Sequence, residues 1–265
     1  MSSGDIFTPP EKAAALIEAV ASTERLLVVS DFDGTLADFA TDIYAVTPHP
    51  DSMKALAALA QAPDTTAALL SGRHIEGLRK VSGVDDAFLL GGSHGAESSD
   101  STENLTRAMA AHLEHIEQQL REVCERYPGA EVEVKPFQRV FHTRKLAESN
   151  PLAAQEALAE VAGIDPGDYP MTVGKGVIEF SATAATKGTW IQERRELSSA
   201  TAVVFIGDDT TDEHGLEVLN QPPDLGVKVG PGETAAIMRV DGIEGAAAFF
   251  TQLAEARLSH LASRS

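Results

Sequence analysis

Asp31 and Asp33 stand two residues apart just beyond an unbroken apolar run, Leu26–Val29, with Gly34 directly behind them. Successive side chains of a strand point to opposite faces, so if extension persists past Ser30 the two carboxylates project to one side. Carboxylates that close repel each other and call for a cation or a shared proton. Gly34 lets the backbone turn sharply and come near a ligand. A second acidic group, Gly207-Asp208-Asp209 with Asp212 three residues on, follows another apolar run. Clustered hard oxygens of this kind suit Mg2+, which keeps several waters and binds through one or two carboxylates. Ser71 and Lys187 are residue types that can hold phosphate oxygens. Lys187 falls in the first turn of a helix predicted to follow Thr186, where the helix dipole disfavours a cation. A cation at that end asks for an anion or a carboxylate nearby.

The elements that must position these groups show a regular pattern. A tail, Met1–Pro10, is expected to be loose, and a helix is predicted over Glu11–Ala21. Strands are predicted at Leu26–Val29, Thr66–Leu70, Ala87–Leu90, Ala202–Ile206 and Leu225–Val229. Each is a short buried-type run ending in a Gly-containing, mostly polar motif, and helical spacing lies between them. These helices include one capped by Asp51 with Met53, Leu56, Leu59 and Ala60 on its stripe. Others are predicted over Ile75–Val81, from Thr186 to about Leu197, from Asp212 to about Leu219, and over Ile243–Leu258. The fold class read from this alternation is α/β, a doubly wound, Rossmann-like parallel sheet. Such a sheet gathers the carboxyl ends of its strands along one edge, so Asp31, Asp33, Ser71, Lys187, Asp208, Asp209 and Asp212 are expected to meet.

The pattern breaks in the middle. Leu105, Met109, Leu113, Ile116, Leu120, Val123 and Tyr127 repeat at helical spacing and stop at Pro128-Gly129. Glu131–Lys135 and Arg139–Thr143 alternate like half-exposed antiparallel strands. A helix over Pro151–Val161 follows, then strands at Tyr169–Val173 and Val177–Phe180 joined by Gly174-Lys175-Gly176. Residues 97–181 therefore read as a small α+β unit inserted into a core formed by residues 1–96 and 182–265.

The 265 residues carry a formal net charge of −19. A surface so acidic repels nucleic acid and anionic membranes, and neither is expected as a partner. It also repels an anionic substrate at long range, so a site for one needs local positive charge or a metal ion. Cys124 is the only cysteine, which rules out an internal disulfide, and it falls on an apolar helical stripe. No segment reads as a leader or a bilayer span, and a cytoplasmic monomer is expected.

Asp31-x-Asp33-Gly34-Thr35-Leu36, then Ser71, Lys187 and Gly207-Asp208-Asp209 resemble, in order, the four motifs of the haloacid dehalogenase superfamily of phosphotransferases. That resemblance implies Asp31 as nucleophile and Asp33 as general acid and then base. It implies Ser71, Gly72 and Lys187 as phosphate ligands. It also implies Mg2+ held by Asp31, the backbone carbonyl of Asp33 and Asp208, with Asp209 and Asp212 in support.

The finer resemblance, from Leu26 to near the end of the chain, is to the trehalose-6-phosphate phosphatases. It is carried by Leu70-Ser71-Gly72-Arg73, Gly92-x-His94-Gly95 and Gly207-Asp208-Asp209-x-Thr211-Asp212-Glu213. In the insertion it is carried by Val132-Glu133-x-Lys135, His142-x-Arg144 and Gly174-Lys175-x-Val177-x-Glu179. It implies that the insertion is a mobile cap over a sugar phosphate. Glu133, Lys135, Arg144, Lys175 and Glu179 would then grip the sugar hydroxyls with His142 nearby, and Arg73 and His94 would bind the substrate at the rim. Thr143, Thr210 and His214-Gly215-Leu216 depart from the family pattern. Two other readings remain open: a capped phosphatase for another sugar phosphate, such as sucrose phosphate or a mannosyl compound, and a receiver-type phosphoacceptor domain. In receivers, however, the phosphorylated Asp and the acidic pair lie on different strands.

Overall fold

A computed structural model describes residues 7–40, 42–101, 105–219 and 221–264. In chain order the elements are α1 (Pro10–Ala21), β1 (Leu26–Ser30), α2 (Pro50–Ala60), β2 (Thr65–Leu70), α3 (Ile75–Ser82), β3 (Leu89–Gly92) and β4 (Glu97–Ser98). There follow α4 (Arg107–Arg126), β5 (Glu131–Lys135), β6 (Gln138–His142), α5 (Arg144–Ser149), α6 (Pro151–Val161), β7 (Met171–Gly174) and β8 (Val177–Ser181). The chain closes with α7 (Lys187–Ser198), β9 (Ala202–Gly207), α8 (Thr210–Glu217), β10 (Leu225–Val229), β11 (Met238–Val240) and α9 (Gly242–Ser263).

The chain divides into two compact units, Met1–Asp100 with Ala185–Ser265, and Ser101–Ala184. The first boundary lies beyond residue 96 because Glu97–Ser98 pairs with β3 and so belongs to the larger sheet. That sheet has the order β11-β10-β9-β1-β2-β3-β4 and is parallel except at β3–β4. Strand order reverses between β1 and β9, which makes their carboxyl ends the switch point where such sheets place ligands. Alternation along β1 sends Leu26 and Val28 into one apolar cluster with α1, α2 and α9. It sends Leu27 and Val29 into another with Trp190 and Ile191 of α7 and Leu216 of α8.

Several expectations are corrected. α2 starts at Pro50 with His49 as its cap, so Asp51 lies in the first turn; Pro is well suited to the first helical position because its missing N–H would be unsatisfied there anyway. Pro10 likewise begins α1, while Met1–Ile6 of the expected tail lie outside the described residues. The third strand runs Leu89–Gly92 rather than Ala87–Leu90. Its glycines are packing positions: a Cβ on Gly91 would lie 2.5 Å from Leu70 Cδ1 and 2.8 Å from Trp190 Cε2. The edge strands β4 and β11 were not expected.

The second unit is a four-stranded antiparallel sheet, β5-β6-β8-β7. Val132, Phe141, Ile178, Phe180 and Met171 share one face and pack with Ile116, Leu120 and Val123 of α4 and Ala154, Ala157 and Val161 of α6. Among the described residues no helix is long and apolar enough to cross a membrane.

Arg257 of α9 is fully buried. Its guanidinium donates to the carbonyls of Ala21, Thr23, Glu24 and Asp64 and to Thr65 Oγ1, tying together the turns at the amino ends of β1 and β2. Arg257→Met should leave those carbonyls short of a donor and lower the unfolding free energy by about 3 kcal/mol or more. Urea unfolding checks this, and a loss below about 1 kcal/mol would show that the clasp is dispensable.

Candidate active site

Asp31 continues the β1 alternation one step past the strand. Its N–H donates to the Ile206 carbonyl at 2.9 Å, and its side chain, 7 % exposed, follows Leu27 and Val29 toward α7 and α8. There it meets Lys187, the first residue of α7, whose ammonium is 2.5 Å from Asp31 Oδ1 and 2.6 Å from Asp212 Oδ1. Lys187 is 2 % exposed. Thr186 caps α7 and accepts from the Thr189 N–H. The helices come together here because Gly188 has no side chain: a Cβ there would lie 2.2 Å from the His214 carbonyl oxygen of α8. The cation at the unfavourable end of a helix is thus explained by two carboxylates, as its position in the sequence suggested.

Asp212 is fully buried, and its second oxygen accepts the N–H groups of Asp208 and Asp209 at 3.0 and 2.9 Å. Asp209 points elsewhere and caps α8, accepting the Thr210 N–H at 2.7 Å. Asp31, Asp208 and Asp212 each bring one oxygen within 4.8 Å of the others. Gly34, at φ +84°, leaves room for Asp208, since a Cβ on Gly34 would lie 2.2 Å from Asp208 Oδ2. Thr35 Oγ1 lies 3.5 Å from Asp208 Oδ1.

The electrostatics follow from this crowding. Burial, then Asp212, push the Asp31 carboxyl well above its ordinary value against the pull of Lys187. Burial opposes the Lys187 ammonium, but Asp31 and Asp212 outweigh it and raise its pKa. Burial, Asp212 and Asp209 push Asp208 up to about 6. Three carboxylates share one lysine, and the surplus negative charge, carried on hard oxygens, fits a divalent cation.

Asp33 does not join this cluster. Both its oxygens accept from Arg73, at 2.6 Å each, and Arg73 also donates to the Ile43 carbonyl. The repulsion expected between Asp31 and Asp33 is relieved by giving each its own cation. Ser71 is buried; its Oγ accepts the Arg73 N–H at 3.2 Å and its carbonyl accepts the His94 N–H at 2.9 Å. The His94 ring lies against Gly72, where a Cβ would come within 2.6 Å of it.

In the second unit the register aligns Glu133, Val140, Glu179 and Thr172 across the four strands. Lys135 and His142 lie on that same face, opposite the helices. His142 Nε2 is 2.9 Å from Glu133 Oε2, and Lys135 Nζ is 3.8 Å from Glu179 Oε2. Burial raises the Glu179 pKa against Lys135, with Glu133 adding to the rise. Arg144 opens α5 and Lys175 lies in the β7–β8 turn, both exposed. Sequence reasoning passed over Lys228 in β10, which is 4 % exposed. A charged residue inside the apolar run Leu225–Val229 was the available signal.

The trehalose-phosphatase family model matches residues 29–239. A trehalose-6-phosphate phosphatase of Escherichia coli is 32 % identical over 229 residues, covering 80 % of each chain. A trehalose-phosphate phosphatase of Mycobacterium ulcerans is 32 % identical over 254 residues, covering 91 % of this chain and 61 % of that longer protein. The C-terminal domain of Candida albicans trehalose-6-phosphate phosphatase superposes with a TM-score of 0.75 at 23 % identity, covering 95 % of this chain and 99 % of that one.

The raised Asp208 pKa has a signed consequence for stability. Between the ordinary carboxyl value of 3.8 and about 6, the folded chain keeps a proton on Asp208 that the unfolded chain has released. The unfolding free energy of metal-free protein should therefore fall as pH rises through that window. Asp208→Asn should remove this part of the slope. Urea midpoints measured in chelator across the window test it, and equal slopes for the two proteins would contradict it.

Proposed function

The chain belongs to the trehalose-phosphatase family, and on that premise we propose that it hydrolyses trehalose 6-phosphate to trehalose and phosphate by way of a phosphoryl group on Asp31. The observation that carries this reading is the buried cluster in which Lys187 holds Asp31 beside Asp208 and Asp212, at the carboxyl ends of the two central strands.

Asp31 attacks phosphorus, the bond from phosphorus to the sugar oxygen breaks, and Asp33 gives its proton to that oxygen. Water then attacks the phosphorus of the aspartyl phosphate, Asp33 takes the water's proton, and Asp31 and phosphate are freed. Phosphate monoesters are among the slowest species to hydrolyse unaided, so dividing the displacement into two easier steps is apt. Both oxygens of Asp33 rest on Arg73, so one of them must leave the guanidinium before it can carry a proton. Lys187 offsets negative charge at the nucleophile and on the phosphoryl oxygens. The Ser71 hydroxyl, already accepting from Arg73, has its own proton to give a phosphate oxygen.

Asp31, Asp208 and Asp212, with the Asp33 carbonyl, are the groups to hold Mg2+, and Asp209 supports them by capping α8. When bound, Mg2+ supplies neutralisation of the phosphoryl charge. In the second unit, Glu133, Lys135, His142, Arg144, Lys175 and Glu179 serve sugar recognition, and Arg73 and His94 border the phosphate residues. Support comes from the shared face of the sheet strands, where Glu133, Lys135, His142 and Glu179 bring donors and acceptors together, as a polyol requires.

Phosphate release from a panel of sugar phosphates should be greatest with trehalose 6-phosphate, vanish in chelator and return with Mg2+. Asp31→Asn should lose nearly all turnover while staying folded. A preference for sucrose phosphate or a mannosyl phosphate would change the substrate, and full activity in chelator would remove the metal.

Sugar recognition is tested separately. Glu179→Ala or Lys175→Ala should lower kcat/KM for trehalose 6-phosphate by about tenfold or more, the scale of one lost charged hydrogen bond. The loss on a small aryl phosphate should be much less. Equal losses on both substrates would assign these residues to support of the fold.

A further inference from the structure

Lys228 lies in the interior of β10, in parallel register with Gly207 of β9. A lysine so deeply buried is costly unless its charge is paired and its donors are used. Its ammonium donates to the Asp208 backbone carbonyl at 2.6 Å and lies 3.5 Å from that of Asp209. Glu213 Oε1 is 3.4 Å away. The other Glu213 oxygen accepts from Thr234 Oγ1 at 3.1 Å and from the Ala235 N–H at 2.9 Å. One line of polar contacts therefore runs from the segment after β10, through Glu213 and Lys228, to the backbone of the acidic loop.

The Asp208 carboxylate lies against Gly34 and brings an oxygen within 4.8 Å of oxygens of Asp31 and Asp212, while the N–H groups of Asp208 and Asp209 are held by the second Asp212 oxygen. Lys228 grips the same loop from behind, through main-chain oxygens rather than through the carboxylates.

We infer that Lys228 is a positioning residue for the divalent cation: it anchors the Asp208–Asp209 backbone so that the Asp208 carboxylate stays within reach of Asp31 and Asp212. The inference rests on reading that cluster as a metal site. Lys228 has two effects on a cation there, and their signs differ. As a nearby positive charge it weakens binding, so removing the charge alone would tighten it. As an anchor it strengthens binding, so removing it would loosen the site.

Calorimetric titration of the metal-free protein with Mg2+ separates these effects without reference to turnover. Lys228→Met keeps a long, flexible side chain in the strand, and Lys228→Gln is a second neutral replacement should the first fold poorly. Either variant is expected to bind Mg2+ about tenfold or more weakly than the unaltered protein, the usual scale for losing a group that orients a metal ligand. Tighter or unchanged binding would overturn the anchoring role. Asp208→Asn is the separate control: if it binds Mg2+ as well as the unaltered protein, or if the unaltered protein binds none, the metal reading itself fails.

Discussion

The ammonium of Lys187 between Asp31 and Asp212 is the contact on which the site depends. Its partners come from 156 and 25 residues away in the chain, one at the end of the central strand and one in the first turn of α8. Removing Lys187 would leave two buried carboxylates without their cation, whereas removing one carboxylate leaves the other paired with it. Its position is set by backbone, through the close approach at Gly188, and by the packing of Trp190 and Ile191 on Leu27, Val29, Val203 and Phe205. The apolar face of the sheet and the polar edge of the site are consequently one construction. The alternation that buries Leu27 and Val29 is what delivers Asp31.

A chain of formal charge −19 acting on an anion needs such fixed cations. Each has a different task. Lys187 meets Asp31, Arg73 holds Asp33 by both oxygens, and Lys228 meets main-chain oxygens of the acidic loop and Glu213. In the second unit Glu133 with His142 and Lys135 with Glu179 set hydrogen-bond donors and acceptors on one face. That suits neutral hydroxyls, which both give and accept hydrogen bonds.

Much of this was legible in the sequence because its signals are local. Five buried runs and their polar ends placed the parallel strands, and Lys187 at a helix start announced its carboxylates before any contact was known. What was not legible depends on distant pieces. Asp209 and Asp212 look alike in the chain, and only the approach of α7 to α8 decides that Asp212 turns inward while Asp209 caps. Arg73 resembled a rim residue until the turn at Gly34 brought Asp33 to it. Lys228 was averaged into an apolar run, and Arg257 fell within the predicted helix Ile243–Leu258 with no local sign of its burial. β4 and β11, two and three residues long, are too short for any periodicity to show.

The order of the central strands bears on how the chain is made. β1 is flanked by β2, which follows it closely, and by β9, which lies beyond the whole second unit. During synthesis from the amino end, Leu26–Ser30 emerges early, pairs with Thr65–Leu70 and then waits with its other edge bare until Ala202–Ile206 appears. The segment Ser101–Ala184, contiguous and with its own apolar cluster, is complete before that moment. The nascent protein therefore carries one finished unit beside a half-built sheet whose open edge is its most apolar strand. An exposed edge of that kind is where chains associate wrongly, and the interval before β9 arrives is the period in which a chaperone would matter most.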